Sequence, residues 1–177
     1  MLRTILTYGV VAGLVVGVPL SITTLTMSGN AMMNYGMAIG YLMMLIALSA
    51  VFLAIKRYRD VEGGGVIRFW PALMLGLGVS FVAGVIYVIA WEVSCAIGHV
   101  DFAGGYAKAM VAKKEADGVT GAALDRVKAE MEAFKVQYAN PLYRWPMTFI
   151  EIFPVGVLVS VISAALLRNS RFLPARR

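Results

Sequence analysis

Charge is what this sequence has least of. Asp, Glu, Lys and Arg make up 15% of its 177 residues, and hydrophobic residues 60%, whereas an ordinary soluble domain is about half apolar and a quarter charged. With a mean hydropathy of +0.77, the chain falls among membrane proteins before any single residue is read. Cysteine is nearly absent: Cys95 stands alone, which excludes an intrachain disulfide and any cluster of cysteine metal ligands. Histidine is limited to His99, which excludes a paired-histidine zinc motif. No Gly-rich phosphate loop and no nucleophile elbow occurs either, since Gly63-Gly64-Gly65 lacks the Lys-Ser/Thr that completes a P-loop. An enzyme site of the soluble type is therefore not expected, and no cofactor is implied.

What is present is long apolar runs. Residues 5–27 carry no charge, and runs with little or none cover 35–55, 71–97 and 147–167. Each is long enough to cross the ~30 Å hydrocarbon layer as a helix. None alternates as a barrel strand does, and lipid-exposed backbone must satisfy its own hydrogen bonds. The fold class expected is all-α, an integral membrane four-helix bundle in one membrane domain, residues 1–177. The first run is too long for a secretory signal, and no small-x-small cleavage site precedes Asn30, so it reads as an uncleaved helix.

The formal net charge is +6, but the basic residues form no face or tail suited to nucleic acid. They flank the apolar runs: Arg3 before the first, Lys56, Arg57, Arg59 and Arg68 between the second and third, and Arg168, Arg171, Arg176 and Arg177 after the fourth. The turn from Ser28 to Asn34 has no charge. Short cytoplasmic loops collect Lys and Arg, so both termini and the Lys56 to Arg68 loop are expected in the cytoplasm. The 98–146 segment then lies outside. Within it Leu124, Val127, Met131, Phe134 and Tyr138 form one stripe of an amphipathic helix that Asn140-Pro141 ends. An earlier helix over about 102–116, separated by Asp117-Gly118, would complete an extracytoplasmic helical hairpin, either a cap on the bundle or a docking surface for a protein.

Small residues recur every fourth position in each run: Gly9, Gly13 and Gly17; Gly36 and Gly40; Gly76, Ser80 and Gly84; Gly156, Ser160 and Ala164. In lipid such seams let backbones approach closely. They are expected to pack the four helices of one chain, with homo-oligomer contacts as the alternative. Pro19 and Pro154 are tolerated kinks. The adjacent pairs Met32-Met33 and Met43-Met44 point to different helix faces and read as apolar filling rather than soft-metal ligands.

Two carboxylates fall inside the predicted spans, Glu92 and Glu151. A charge there costs several kcal/mol (roughly, and depth-dependent) unless paired, protonated or hydrated. Both are expected one to two turns below the outer boundary, facing the interior, with His99 seven residues after Glu92. Glu92, His99 and Glu151 are thus the candidates for a cation or shared proton. The alternative is that each glutamate is hydrated or hydrogen-bonded near the interface, to Trp91, Tyr87 or Thr148.

Tyr35-Gly36-Met37-Ala38-Ile39-Gly40-Tyr41, Lys56-Arg57-Tyr58-Arg59-Asp60, Tyr87 with Trp91-Glu92, and Asn140-Pro141 followed by Glu151-Ile152-Phe153-Pro154-Val155-Gly156 occur together, in order. Together they resemble the bacterial membrane family called domain of unknown function 4199. The resemblance implies a small inner-membrane protein and supplies no activity or ligand. The function expected from the residues is a non-enzymatic membrane subunit or accessory factor, in contact with the bilayer and with a protein partner or a second copy. The alternative is a proton- or cation-linked carrier using Glu92 and Glu151, as an oligomer.

Overall fold

A computed structural model of the chain describes residues 1–26 and 30–174, and between 30 and 39 only the backbone. The described residues form six helices and no strand: α1 (Leu2–Thr26), α2 (Asn30–Val61), α3 (Phe69–Gly98), α4 (Phe102–Ala116), α5 (Gly121–Ala139) and α6 (Pro141–Leu167). Four are long and apolar enough to cross a membrane, namely α1, α2 over Gly40–Val61, α3 and α6. Gly36, the Met32-Met33 pair, Arg176 and Arg177 lie outside the residues whose side chains are described, as does all of the Ser28 to Asn34 segment.

The expected spans are right in order but short, most of all at three ends. The backbone of α2 begins at Asn30, ahead of the expected Tyr35 and within the expected Ser28 to Asn34 turn. The second was expected to stop at Ile55, where apolarity stops, yet α2 continues to Val61. Helix formation does not require apolar residues, and Lys56 pairs with Asp60 at 2.5 Å across one turn. The fourth was expected from Met147, yet α6 starts at Pro141. Asn140, read as the end of one helix, also begins the next: its side chain accepts a hydrogen bond from the Leu142 amide at 3.0 Å, and Pro141 occupies the first turn where a missing N–H costs nothing.

α1 and α3 run side by side in the same direction. Ser21 and Ser94 share a hydrogen bond of 2.8 Å across 73 residues of sequence, and that offset recurs at every rung below and above. Gly9 stands against Val82, Gly13 against Ile86 and Gly17 against Ala90, while the roles reverse at the ends, with Gly78 against Ile5 and Gly98 against Leu25. A Cβ on Gly9 or Gly13 would come within 2.6 Å of its partner's Cβ. The four-residue period of both helices keeps one face of each in register, so a glycine notch on one helix receives a side chain of the other at five rungs, and the two serines meet at the sixth.

The α3–α6 contact is antiparallel and closer to symmetric. Gly76 faces Ser160 and Gly156 faces Ser80, with added-Cβ distances of 2.9 and 2.6 Å. Between them the two hydroxyls lie 3.3 Å apart, and each also bonds its own helix, Ser80 to the Gly76 carbonyl and Ser160 to that of Gly156. The hydroxyls are therefore satisfied in a place without water. Gly84 abuts the Phe149 ring, and Gly40 differs from these, since among the described residues a Cβ there meets nothing within 4 Å.

α2 closes this interior with Met44, Ala47, Leu48, Val51, Ala54 and Ile55, all buried. One turn further, Arg59 is 0% exposed. It donates to Asp60 at 2.8 Å, to the Phe172 carbonyl at 2.9 Å and to the Leu173 carbonyl at 2.5 Å. Phe172 also sets its ring edge-on to Phe52, 6.4 Å between centroids. The residues after α6 are thereby held on α2, with the guanidinium charge and donors partnered as burial demands.

Candidate functional site

The chemistry-bearing residues gather where α3, α4, α5 and α6 converge. On α5 the stripe Leu124, Val127, Met131, Phe134 and Tyr138 is the least exposed face, and Phe134 and Tyr138 meet the rings of α4. Phe102 lies 5.4 Å from Tyr138 and 6.0 Å from Tyr106, and Tyr106 lies 5.5 Å from Phe134. Trp91 of α3 completes the cluster, 5.1 Å from Phe102 and perpendicular to it. Its indole N–H donates to the Tyr138 hydroxyl at 2.9 Å. Both rings are buried, so the indole and the phenol find their polar partner in each other.

Burial outweighs the Trp91 hydrogen bond and pushes the Tyr138 phenol from 10.0 up to about 12. The neutral phenol is thus favoured by folding. The stabilisation it brings is complete below pH 10 and is lost as pH rises from 10 to about 12, because the unfolded tyrosine ionises first. Tyrosinate absorbance followed during alkaline titration should show Tyr138 ionising late, as the difference between the parent and Tyr138→Phe, together with loss of α4–α5 structure. Ionisation near pH 10 without that loss would show the ring to be wet.

Beside this cluster sits an ion pair that bridges helices. Arg144, in the first turns of α6, donates through Nε and Nη2 to the two oxygens of Glu92 on α3, both at 2.5 Å. Its Nη1 donates to the Tyr138 carbonyl at 3.1 Å, and its guanidinium stands 5.7 Å from the Tyr138 ring centre. One planar side chain so ties α3, the end of α5 and the start of α6, as a forked donor can and a lysine cannot. An apolar groove of about 680 Å3 opens below it between α3 and α6, lined by Phe81, Val85, Ile89, Trp145 and Phe149 with Glu92 at its end.

The three candidate ligands are thereby separated. Glu92 belongs to Arg144. Glu151 is exposed on α6 rather than turned inward, and accepts a hydrogen bond from the buried Tyr87 hydroxyl at 3.4 Å. His99 is exposed at the C-cap of α3 in a left-handed conformation, φ 47°, its amide bonded to the Cys95 carbonyl. Among the described residues no three of His, Cys, Asp and Glu gather to hold a metal. Of the hydrogen-bond partners expected for the glutamates, Tyr87 is used, by Glu151, while Trp91 serves Tyr138 and Thr148 bonds the Arg144 carbonyl of its own helix. Arg144 is the residue that sequence reasoning missed. Its only signal is the coincidence of a cation just before one span with a carboxylate near the end of the preceding one.

Four membrane-length apolar helices with interlocked small residues define a membrane protein. The chain belongs to the family described as protein of unknown function (DUF4199), which it matches over residues 7–169. No curated protein and no solved structure matches it.

Proposed function

We propose that the chain is a multi-pass inner-membrane bundle of four helices, with both termini in the cytoplasm, that acts as a non-enzymatic subunit or accessory factor through an external α4–α5 hairpin. The observation that carries this reading is the fixing of that hairpin to the spans by the Trp91–Tyr138 bond and by Arg144, which donates to the Tyr138 carbonyl while paired with Glu92. A loop that only connects two spans needs no such attachment. A platform that presents a surface to a partner does, because pre-ordering lowers the entropy lost on binding. The carrier reading has less support, since Glu92 and Glu151 answer to different partners.

Crosslinking in intact cells from photoreactive groups on the outer face of α5, at Val136 (75% exposed), should capture one defined protein or a second copy of the chain. A purified monomer with no specific adduct would count against the proposal. The orientation is checked by impermeant thiol labelling after Cys95 is replaced. Thr120→Cys should react in intact cells and Val66→Cys should not. Gly118 and Gly64 are avoided, because their positive φ values of 83° and 59° would strain any side chain. The reverse labelling pattern would invert the topology.

A further inference from the structure

At the opposite end of the spans from the aromatic cluster, Val66, Ile67, Arg68, Phe69 and Arg168 line a cleft of about 580 Å3. It lies where α3 starts and α6 has just ended. Two membrane-length helices terminate there, so the cleft sits at the level where hydrocarbon gives way to headgroups. The exposed Trp70 next to it, edge-on to Phe69 at 5.6 Å, is the kind of ring that settles at that level.

The two arginines come from segments about a hundred residues apart and share one concavity. Neither guanidinium makes a salt bridge or side-chain hydrogen bond among the described residues. Among the described residues the side-chain carboxylates at this end are already taken: Asp60 by Lys56 and Arg59, and Glu62 by the Met1 amino group and the Thr4 hydroxyl. Val66, Ile67 and Phe69 supply an apolar wall beside the two charges. A forked guanidinium pair matches phosphate oxygens, and the apolar wall matches what is attached to the phosphate.

We infer that Arg68 and Arg168 form a binding site for the phosphate of an anionic phospholipid, with Val66, Ile67 and Phe69 against its glycerol and upper acyl chain. Free phosphate shares the charge but not the apolar part, and it is not held at the membrane surface. The lipid is therefore the occupant. The site is independent of whatever meets the α4–α5 surface.

Native mass spectrometry of the full chain, titrated in detergent with phosphatidylglycerol or phosphatidylcholine, tests this. The chain should retain phosphatidylglycerol in preference. A basic residue near a membrane contributes about 1 kcal/mol, or about fivefold, so R68Q/R168Q should weaken phosphatidylglycerol binding roughly 25-fold. R68K/R168K, which keeps the charge, should lose less than that. R3Q/R57Q, removing two exposed arginines elsewhere at this end, should leave binding nearly unchanged. If R68Q/R168Q does not fold, Arg168→Gln alone should still show the fivefold loss. An equal loss in R3Q/R57Q would overturn the site in favour of diffuse surface attraction. Inorganic phosphate binding as tightly as the lipid would overturn the lipid as its occupant.

Discussion

Arg144→Leu should destabilise the protein by about 2–4 kcal/mol, the largest effect expected of any side chain near the aromatic cluster. Breaking a buried ion pair costs about 3–5 kcal/mol, because the remaining charge keeps its desolvation penalty and loses its counter-charge. The value here is placed lower since Arg144 and Glu92 retain 21% and 26% exposure. The sign of the second step is the informative part. Arg144→Leu/Glu92→Leu removes the stranded carboxylate as well, and should recover much of the loss, leaving mainly the missing bond to the Tyr138 carbonyl. Unfolding in mixed micelles, followed by tryptophan fluorescence, measures both. Equal destabilisation in the single and double variants would mean that Glu92 is well hydrated without Arg144 and that the pair bears little weight.

The second large effect is expected at Gly13. Alanine there would place a Cβ 2.6 Å from the Cβ of Ile86, too close for any rotamer change to relieve, so α1 and α3 must separate along their whole register. Overpacking of this kind costs about 1–3 kcal/mol, and leucine would cost more. Removing the opposing Cβ should relieve the clash: Gly13→Ala is expected to cost less in an Ile86→Gly background than it does in the parent. Gly40→Ala is the contrast, since among the described residues its Cβ would meet nothing within 4 Å and alanine is up to about 1 kcal/mol the better helix former. If Gly13→Ala and Gly40→Ala behave alike in the same unfolding measurement, the glycine notches of α1 do not hold it to α3.

The spans were legible because a bilayer imposes one local demand, about 20 apolar residues whose backbone bonds close within the segment. Their charged ends were not, and α2 runs on through Lys56 and Asp60 because a helix continues wherever side chains and backbone allow it, whether or not lipid surrounds it. The stripe on α5 was legible for a similar reason: periodicity is local, and Phe134 and Tyr138 had to face something. Hydropathy does not say what that something is. Trp91 and Tyr138 lie 47 residues apart, and Arg144 and Glu92 lie 52 apart.

Sequence by itself determined the all-helical class, the four membrane-length helices and the small-residue period of their faces, since each follows from composition and spacing within a single segment. Only the tertiary structure decided which notch receives which side chain, in the constant register of α1 on α3 and the reciprocal Gly–Ser contacts of α3 and α6. It also decided that Glu92 answers to Arg144 while Glu151 takes Tyr87. Depth in the membrane can be counted from residue number, but the rotation of one helix about its axis relative to another cannot. Partner choice among buried polar groups depends on that rotation.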